Sequence, residues 1–133
     1  MSTPLITALD NQDVQTTLFH IQNRTGLEDR DCHGNTPLHL VVLYGFRRAL
    51  RSLLELNDSR VDLLSVNYQG ETPLHIAARR GSTDVAAFLI KYGGMNHKKN
   101  VFGDTPALVA ILHHNHEIVI LIHQASIEWN PER

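Results

Sequence analysis

Between residues 72 and 94 the apolar positions fall into two short runs of different texture. Leu74, Ile76, Ala77 and Ala78 form a nearly continuous apolar segment, opened by Thr72-Pro73 and closed by Gly81. Val85, Phe88, Leu89 and Ile90 then recur at three- and four-residue intervals between Asp84 and the stop Tyr92-Gly93-Gly94. The first run predicts a short, mostly buried helix: a proline at the first helical position gives up no usable N–H and already has helical φ, and Thr72 is a natural N-cap. Its small residues suit close stacking, and Gly81 supplies the backbone freedom to end it. The second run predicts an amphipathic helix with an acid at its positive N-terminus. The unit is therefore helix, turn, helix, then an extended loop. The same pattern predicts helices near 37–43 and 47–56, and near 106–113 and 117–124. Each has only two or three turns and is marginal alone, so packing between units must hold it.

The units are copies. Gly34-Asn35-Thr36-Pro37-Leu38-His39, Gly70-Glu71-Thr72-Pro73-Leu74-His75 and Gly103-Asp104-Thr105-Pro106-Ala107-Leu108 repeat one phrase, with their glycines 36 and then 33 residues apart. Self-similarity at that period is the signature of a stacked array, in which no unit buries its apolar face alone and removal of one should unfold its neighbours. Residues 1–30 retain the rhythm in Thr3-Pro4-Leu5 with Ile6, Ala8 and Leu9, then Asp13-Val14 with Leu18, Phe19 and Ile21. They are read as a degenerate first unit, its polar runs Asn11-Gln12-Asp13 and Gln15-Thr16-Thr17 suited to an outer face in water. Units 31–66, 67–99 and 100–133 follow. The last has Ala107-Leu108 where Leu-His stood before, a departure expected of a capping unit. The expected fold is an all-α repeat solenoid of about four helix-turn-helix units with projecting loops.

Composition changes this picture little. The 133 residues are 42% hydrophobic and 20% charged, with a formal net charge of −2, as in one domain of ordinary polarity. Residues 1–66 hold eight acids and six bases, and the remainder six of each, so no basic face marks nucleic acid or anionic membrane. The single Cys32 forbids an internal disulfide and suits a reducing compartment, cytoplasmic and also nuclear. Apolar stretches such as Ile118–Ile122 fall far short of the ~20 residues of a membrane span, and no signal segment opens the chain.

Thr-Pro-Leu-His with two small apolar residues at a spacing near 33 resembles the ankyrin repeat, over essentially the whole chain. The resemblance implies L-shaped units, antiparallel helices forming one arm and a hairpin-like loop the other, stacked into a curved slab that binds another protein. In that family contacts come from the loop tips and the exposed end of each first helix. Carried over, these are Cys32, His33, Asn35 and Tyr44; Tyr68, Gln69, Glu71, Arg79 and Arg80; and Val101, Phe102, Asp104 and His113. Tyr44, Tyr68 and Phe102 carry the most weight, because the repeat itself requires no aromatic there and large rings with arginines dominate interface energetics. Two readings of each ring stand open, a partner anchor or packing on the neighbouring loop, and Arg79-Arg80 are equally consistent with a solvated face.

The 31–66 unit is three residues too long, carrying Asn57 to Val66 before Asn67-Tyr68. A longer loop followed by Asn-Tyr-x-Gly-x-Thr resembles the inhibitor-of-κB branch of ankyrin proteins, whose members bind Rel-type transcription factors. No Asp-Ser-Gly-x-x-Ser phosphodegron precedes the repeats and no acidic Pro-Ser-Thr segment follows them. In this the chain resembles repeat-only viral ankyrin inhibitors, and the resemblance implies a constitutive inhibitor of a Rel/NF-κB-type factor. A generic adaptor, or a pathogen effector with an unrelated target, is the alternative.

Thr36, His39, Thr72, His75 and Thr105 are expected to serve the turns, the imidazoles bonding backbone groups of adjacent loops and bridging to the preceding threonine. His113-His114-x-His116 invites a metal reading, but it straddles a turn and a structural zinc site wants four ligands; the competing reading is a solvated turn in which His114 takes the usual glycine position. There is no phosphate-binding glycine loop, no His-Glu-x-x-His, no Gly-x-Ser-x-Gly and no base beside Cys32. No enzymatic activity, cofactor, metal, small-molecule substrate, membrane or direct nucleic-acid contact is expected.

Overall fold

The computed structural model describes residues 3–128. Eight helices run through them: α1 (Pro4–Asp10), α2 (Val14–Gln22), α3 (Pro37–Tyr44), α4 (Arg47–Glu55), α5 (Pro73–Arg80), α6 (Thr83–Lys91), α7 (Pro106–Leu112) and α8 (His116–Glu128). Consecutive helices pair, α1 with α2 through α7 with α8, and the first helices pack in a row, α1 on α3 on α5 on α7. Among the described residues there is no strand, so the fold is an all-α repeat solenoid.

Local chemistry starts each odd-numbered helix. Thr36, Thr72 and Thr105 accept from the backbone N–H three residues on, and a proline opens the helix behind each. Gly45 and Gly81 close α3 and α5 at φ 71° and 75°. In the last unit His114 occupies that left-handed position at φ 60°, a conformation that costs an L-residue what glycine avoids.

The core is one continuous apolar cluster threading the odd-numbered helices. Leu74, Ile76, Ala77 and Ala78 of α5 are all buried, with Leu38, Leu40, Val41 and Val42 on one side and Val109 and Ala110 on the other. Between the outer helices α4 and α6 the junction is polar: Arg47 donates to Asp84 (2.5 and 3.2 Å), and the Arg51 guanidinium lies 5.8 Å from the centre of the Phe88 ring. The long loop is tied down by the ion pair of Arg24 with Asp58 (3.0 Å) and by Arg30, which donates to the carbonyls of Gly34 and Val66 (2.8 and 2.7 Å).

The ends of the stack depart from the sequence expectations. In α2 it is Thr17 and Ile21 that are buried, whereas Phe19 is 61% exposed, because the helical period turns residue 19 away from 14, 17, 18 and 21. Thr17, grouped above with the polar outer face, points inward and its Oγ1 has no hydrogen-bond partner. At the other end α8 runs on through Glu128 rather than stopping near 124, since no glycine pair follows it as Gly93-Gly94 follows α6. The outward side of this last pair is not polar: Leu108, Ile111, Leu112, Ile120 and Ile127 are exposed. Residues 129–133, assigned above to the capping unit, and residues 1–2 lie outside the described part.

Candidate protein-interaction surface

The loops are built by one device used three times. Asp31, Asn67 and Asn100 each turn a side-chain oxygen onto the backbone N–H groups two and four residues ahead; for Asn67 these are Gln69 and Glu71, both at 3.0 Å. The N–H of the same residue donates to the carbonyl four ahead, and the glycine at position four crosses into the left-handed region, at φ 76°, 74° and 82° for Gly34, Gly70 and Gly103. The result is a tight two-residue tip, Cys32-His33, Tyr68-Gln69 and Val101-Phe102.

Neighbouring tips are then cross-linked. Tyr68 N–H donates to the His33 carbonyl (3.1 Å) and Val101 N–H to the Gln69 carbonyl (2.9 Å), while Asn67 Nδ2 donates to Asn35 Oδ1 (2.9 Å). The histidines complete the ladder from below. His39 Nδ1 accepts from Thr36 N–H (3.2 Å) and meets Thr36 Oγ1 (2.8 Å), and its Nε2 lies 2.8 Å from the Glu71 carbonyl of the next loop. His75 does the same with Thr72 and the Asp104 carbonyl (3.0 Å). With Nδ1 occupied as acceptor, Nε2 must carry the proton and donate. Burial lowers both imidazole pKa values despite the favourable carbonyl contacts, so each ring is held neutral and rigid. The imidazoles thus bridge adjacent units.

On this scaffold the tips present large side chains to solvent: Tyr68 is 71% exposed, Val101 64% and Phe102 74%. Cys32, His33 and Gln69 are exposed in the same tips, and Arg80 and His113 are exposed at the ends of α5 and α7. Tyr68 also satisfies the alternative reading, because its ring lies over Gly34 so closely that a Cβ there would come within 2.5 Å of it. Packing on the neighbouring loop and exposure coexist in one ring, which holds it in place while leaving one side open.

Other candidates are tied into the structure. Asn35 and Glu71 are buried, Asn35 inside the loop ladder and Glu71 in an ion pair with Arg79, so their side chains are not free for a partner. Tyr44 is half-buried and donates to Asp10 of α1 (2.7 Å); burial and that carboxylate push its pKa up to about 12. Asp104 is half-buried and lends its carbonyl to His75. Arg80 is exposed and, unlike Arg79, makes no ion pair among the described residues. His113 and His114 sit in the α7–α8 turn, the rings of His114 and His116 lie 6.3 Å apart, and among the described residues no three His, Cys, Asp or Glu side chains converge on a metal position.

Sequence reasoning passed over Asp31, Asn67 and Asn100, although the signal was present: an Asp or Asn three residues before each of the three glycines. It also passed over the apolar end face of α7 and α8, legible as Leu108, Ile111 and Leu112 standing where His75, Ala78 and Arg79 stand one unit earlier. No helix among the described residues is long and apolar enough to cross a membrane.

A family model described as ankyrin repeats (3 copies) matches residues 38–132. The NF-kappa-B inhibitor cactus of Drosophila yakuba is 31% identical over 125 residues, covering 73% of this chain and 26% of that protein. Ankyrin repeat protein OPG189 of Variola virus is 31% identical over 93 residues, 70% of this chain and 16% of its own. The nuclear factor NF-kappa-B p105 subunit of Mus musculus is 52% identical over 56 residues, 42% of this chain and 6% of that one. The chain spans about a quarter or less of the length of these curated relatives. Repeated Thr-Pro-Leu-His turns, paired helices stacked through their first members, a ladder of loop tips and a family match over most of the sequence agree: this chain belongs to the ankyrin-repeat family, whose members are protein-interaction modules.

Proposed function

We propose that this chain binds and occludes a Rel/NF-κB-type transcription factor through its loop tips and the adjacent ends of α3, α5 and α7, acting as a non-catalytic inhibitor in the cytoplasm or nucleus. The observation that carries this reading is the row of open tip side chains, Tyr68, Val101 and Phe102, on a backbone ladder that fixes their spacing. Rigid, exposed rings lose little entropy on binding and supply the central anchors of protein interfaces. Arg80, exposed at the far end of α5, adds a charge without an internal partner to give up. Similarity to proteins named as an NF-kappa-B inhibitor and as an NF-kappa-B subunit supports the choice of a Rel-type partner.

The test is direct binding of the purified chain to a Rel homology domain, beside Tyr68→Ala/Phe102→Ala and Arg80→Ala variants whose helicity is verified by circular dichroism. Hot-spot truncation is expected to weaken binding at least ~30-fold, from ~2 kcal/mol or more at such positions. Retention of no Rel homology domain by the folded parent sinks the reading, and leaves an adaptor or effector with another protein target.

A further inference from the structure

Beneath the Tyr68 tip, where the second and third units meet, lies a pocket of about 170 Å³ walled by Cys32, His33, Leu43, Tyr68, Ile76 and Arg79. Its chemistry is particular to this junction. Leu43, Arg79 and Leu112 occupy the same place in α3, α5 and α7, as Asn35, Glu71 and Asp104 do in the turns that open those helices, so only the third unit brings an arginine and an acid together there. The backbone of Glu71 is held on both sides: its N–H donates to Asn67 Oδ1 (3.0 Å), and its carbonyl accepts from Asn67 N–H (3.0 Å) and meets His39 Nε2 (2.8 Å). Its carboxylate, 5% exposed, is taken up by Arg79.

Arg79 is therefore a guanidinium fixed at one end. One of its nitrogens donates to Glu71, while the side chain is 37% exposed and its other N–H groups have no partner among the described residues. A guanidinium carries five N–H donors in a rigid fork, so several remain for an acceptor in the pocket. The charges select which acceptor. A carboxylate there would meet Arg79 but also the Glu71 carboxylate, and an ammonium or guanidinium group would meet Glu71 but also Arg79. Either ion gives up its hydration where attraction and repulsion offset one another. A neutral carbonyl oxygen gives up less and gains a hydrogen bond from a charged donor, which is stronger than a neutral one. Leu43, Ile76 and the Tyr68 ring, which rests on Gly34, supply apolar walls for the methylene stem of such a group.

We propose that this pocket receives one carboxamide side chain, Gln or Asn, from the protein partner, its carbonyl oxygen accepting from Arg79 and its stem lying between the Tyr68 ring and Leu43. The assignment deepens the reading of the loop tips as the partner's seat and rests on it. Room for one extended side chain, and not for a helix ~10 Å across, makes the pocket a point of selection beside the larger contacts of Tyr68 and Phe102. A site built to hydrogen-bond a neutral group rejects an apolar replacement, which leaves the donors unpaired. Glu71 is a positioning residue: it fixes the fork and offsets its charge.

Titration of the isotope-labelled full chain with N-acetyl-glutamine methylamide, followed by NMR, tests this beside the glutamate, lysine and alanine compounds of the same form. The Tyr68 backbone amide and Arg79 Nε–H signals should move along one saturating curve. Affinity for the glutamine compound should exceed that for the other three ~10-fold, as expected for one added hydrogen bond to a charged group. Arg79→Lys keeps a cation beside Glu71 but loses the fork, so it should abolish the preference at the Tyr68 amide with an unchanged circular dichroism spectrum. Arg48→Ala, exposed on α4, should titrate like the parent. Arg79→Lys should also bind a Rel homology domain ~10-fold more weakly than the parent does. Shifts that do not saturate, equal affinity for the glutamate or lysine compound, a preference kept by Arg79→Lys or one lost with Arg48→Ala overturn the proposal. So does a Rel homology domain bound equally by parent and Arg79→Lys. A Rel homology domain that the parent does not bind removes the Rel-type partner alone, because the titration still decides the pocket.

Discussion

His39→Leu tests how the units are joined. The last unit already carries leucine at this position, so the side chain is compatible with the turn itself; what it lacks is the bridge. In the protein His39 is fully buried, accepts from Thr36 N–H (3.2 Å) and sits 2.8 Å from the Glu71 carbonyl thirty-two residues away. Leucine leaves the buried Thr36 N–H without a partner, at ~1–3 kcal/mol, and takes from the Glu71 carbonyl one of two hydrogen bonds, the one from Asn67 N–H (3.0 Å) remaining; part of the loss is recovered because the new side chain is apolar. The expected net loss is about 2 kcal/mol out of the ~5–15 kcal/mol of a typical domain, or a fall in Tm of about 5–10 °C at this chain length. Because the bond joins two units, the denaturant transition should also broaden as nearest-neighbour coupling weakens.

A second readout separates the hydrogen bond from simple packing. The folded pKa of His39 is lowered by burial, so the unfolded chain binds the proton more readily. The contribution to stability is complete above the unfolded pKa of ~6.5 and is lost as pH falls from there through the lower folded pKa. His75 behaves alike, and each titrating site contributes a slope of up to ~1.4 kcal/mol per pH unit. Urea unfolding of parent and His39→Leu between pH 7.5 and 5.5 should show a loss of stability on acidification that the variant reduces by about half, leaving the His75 share. A variant within ~1 kcal/mol of the parent at pH 7.5, or one that loses stability on acidification as steeply, refutes the reasoning.

Three further substitutions probe other links. Thr17→Val should stabilise by ~1 kcal/mol in thermal melts, because the Thr17 Oγ1 is buried with no partner and valine has the same shape; a loss of stability would show that the hydroxyl is satisfied. Arg79→Ala should cost ~2–3 kcal/mol, less than the ~3–5 of a fully buried pair because the arginine side chain is 37% exposed, whereas Arg79→Ala/Glu71→Gln should recover part of it in a double-mutant cycle; equal losses in single and double variants would sink the ion pair as the cause. His114→Gly should raise stability by ~0.5–1 kcal/mol by relieving φ 60° at the end of α7, measured by urea midpoint, and a lower midpoint would contradict it.

How much of the site was legible follows from the range of the interactions involved. The Thr-Pro-Leu-His turns could be read residue by residue because the capping threonine and its histidine lie three apart. Tyr68 and Phe102 were found as exposed aromatics in a motif that does not ask for them, but that Tyr68 rests on Gly34 depends on residues thirty-four apart. Asn35 and Glu71 share the loops with the exposed tips and were grouped with them; only the approach of the next loop and of Arg79 buries them.

The sequence alone determined the period, the helix starts and stops, the stacking of units and the absence of a recognisable catalytic motif, because capping, left-handed glycines and apolar spacing act within a few residues of one another. Tertiary structure decided which way each short helix faced. A run of seven to nine residues with apolar side chains on most of its surface has little directional bias, and its orientation is set by neighbours on both sides. That is why Ile111, apolar in sequence like its buried neighbours, stands in solvent at one end of the stack while Thr17 lies in the core at the other.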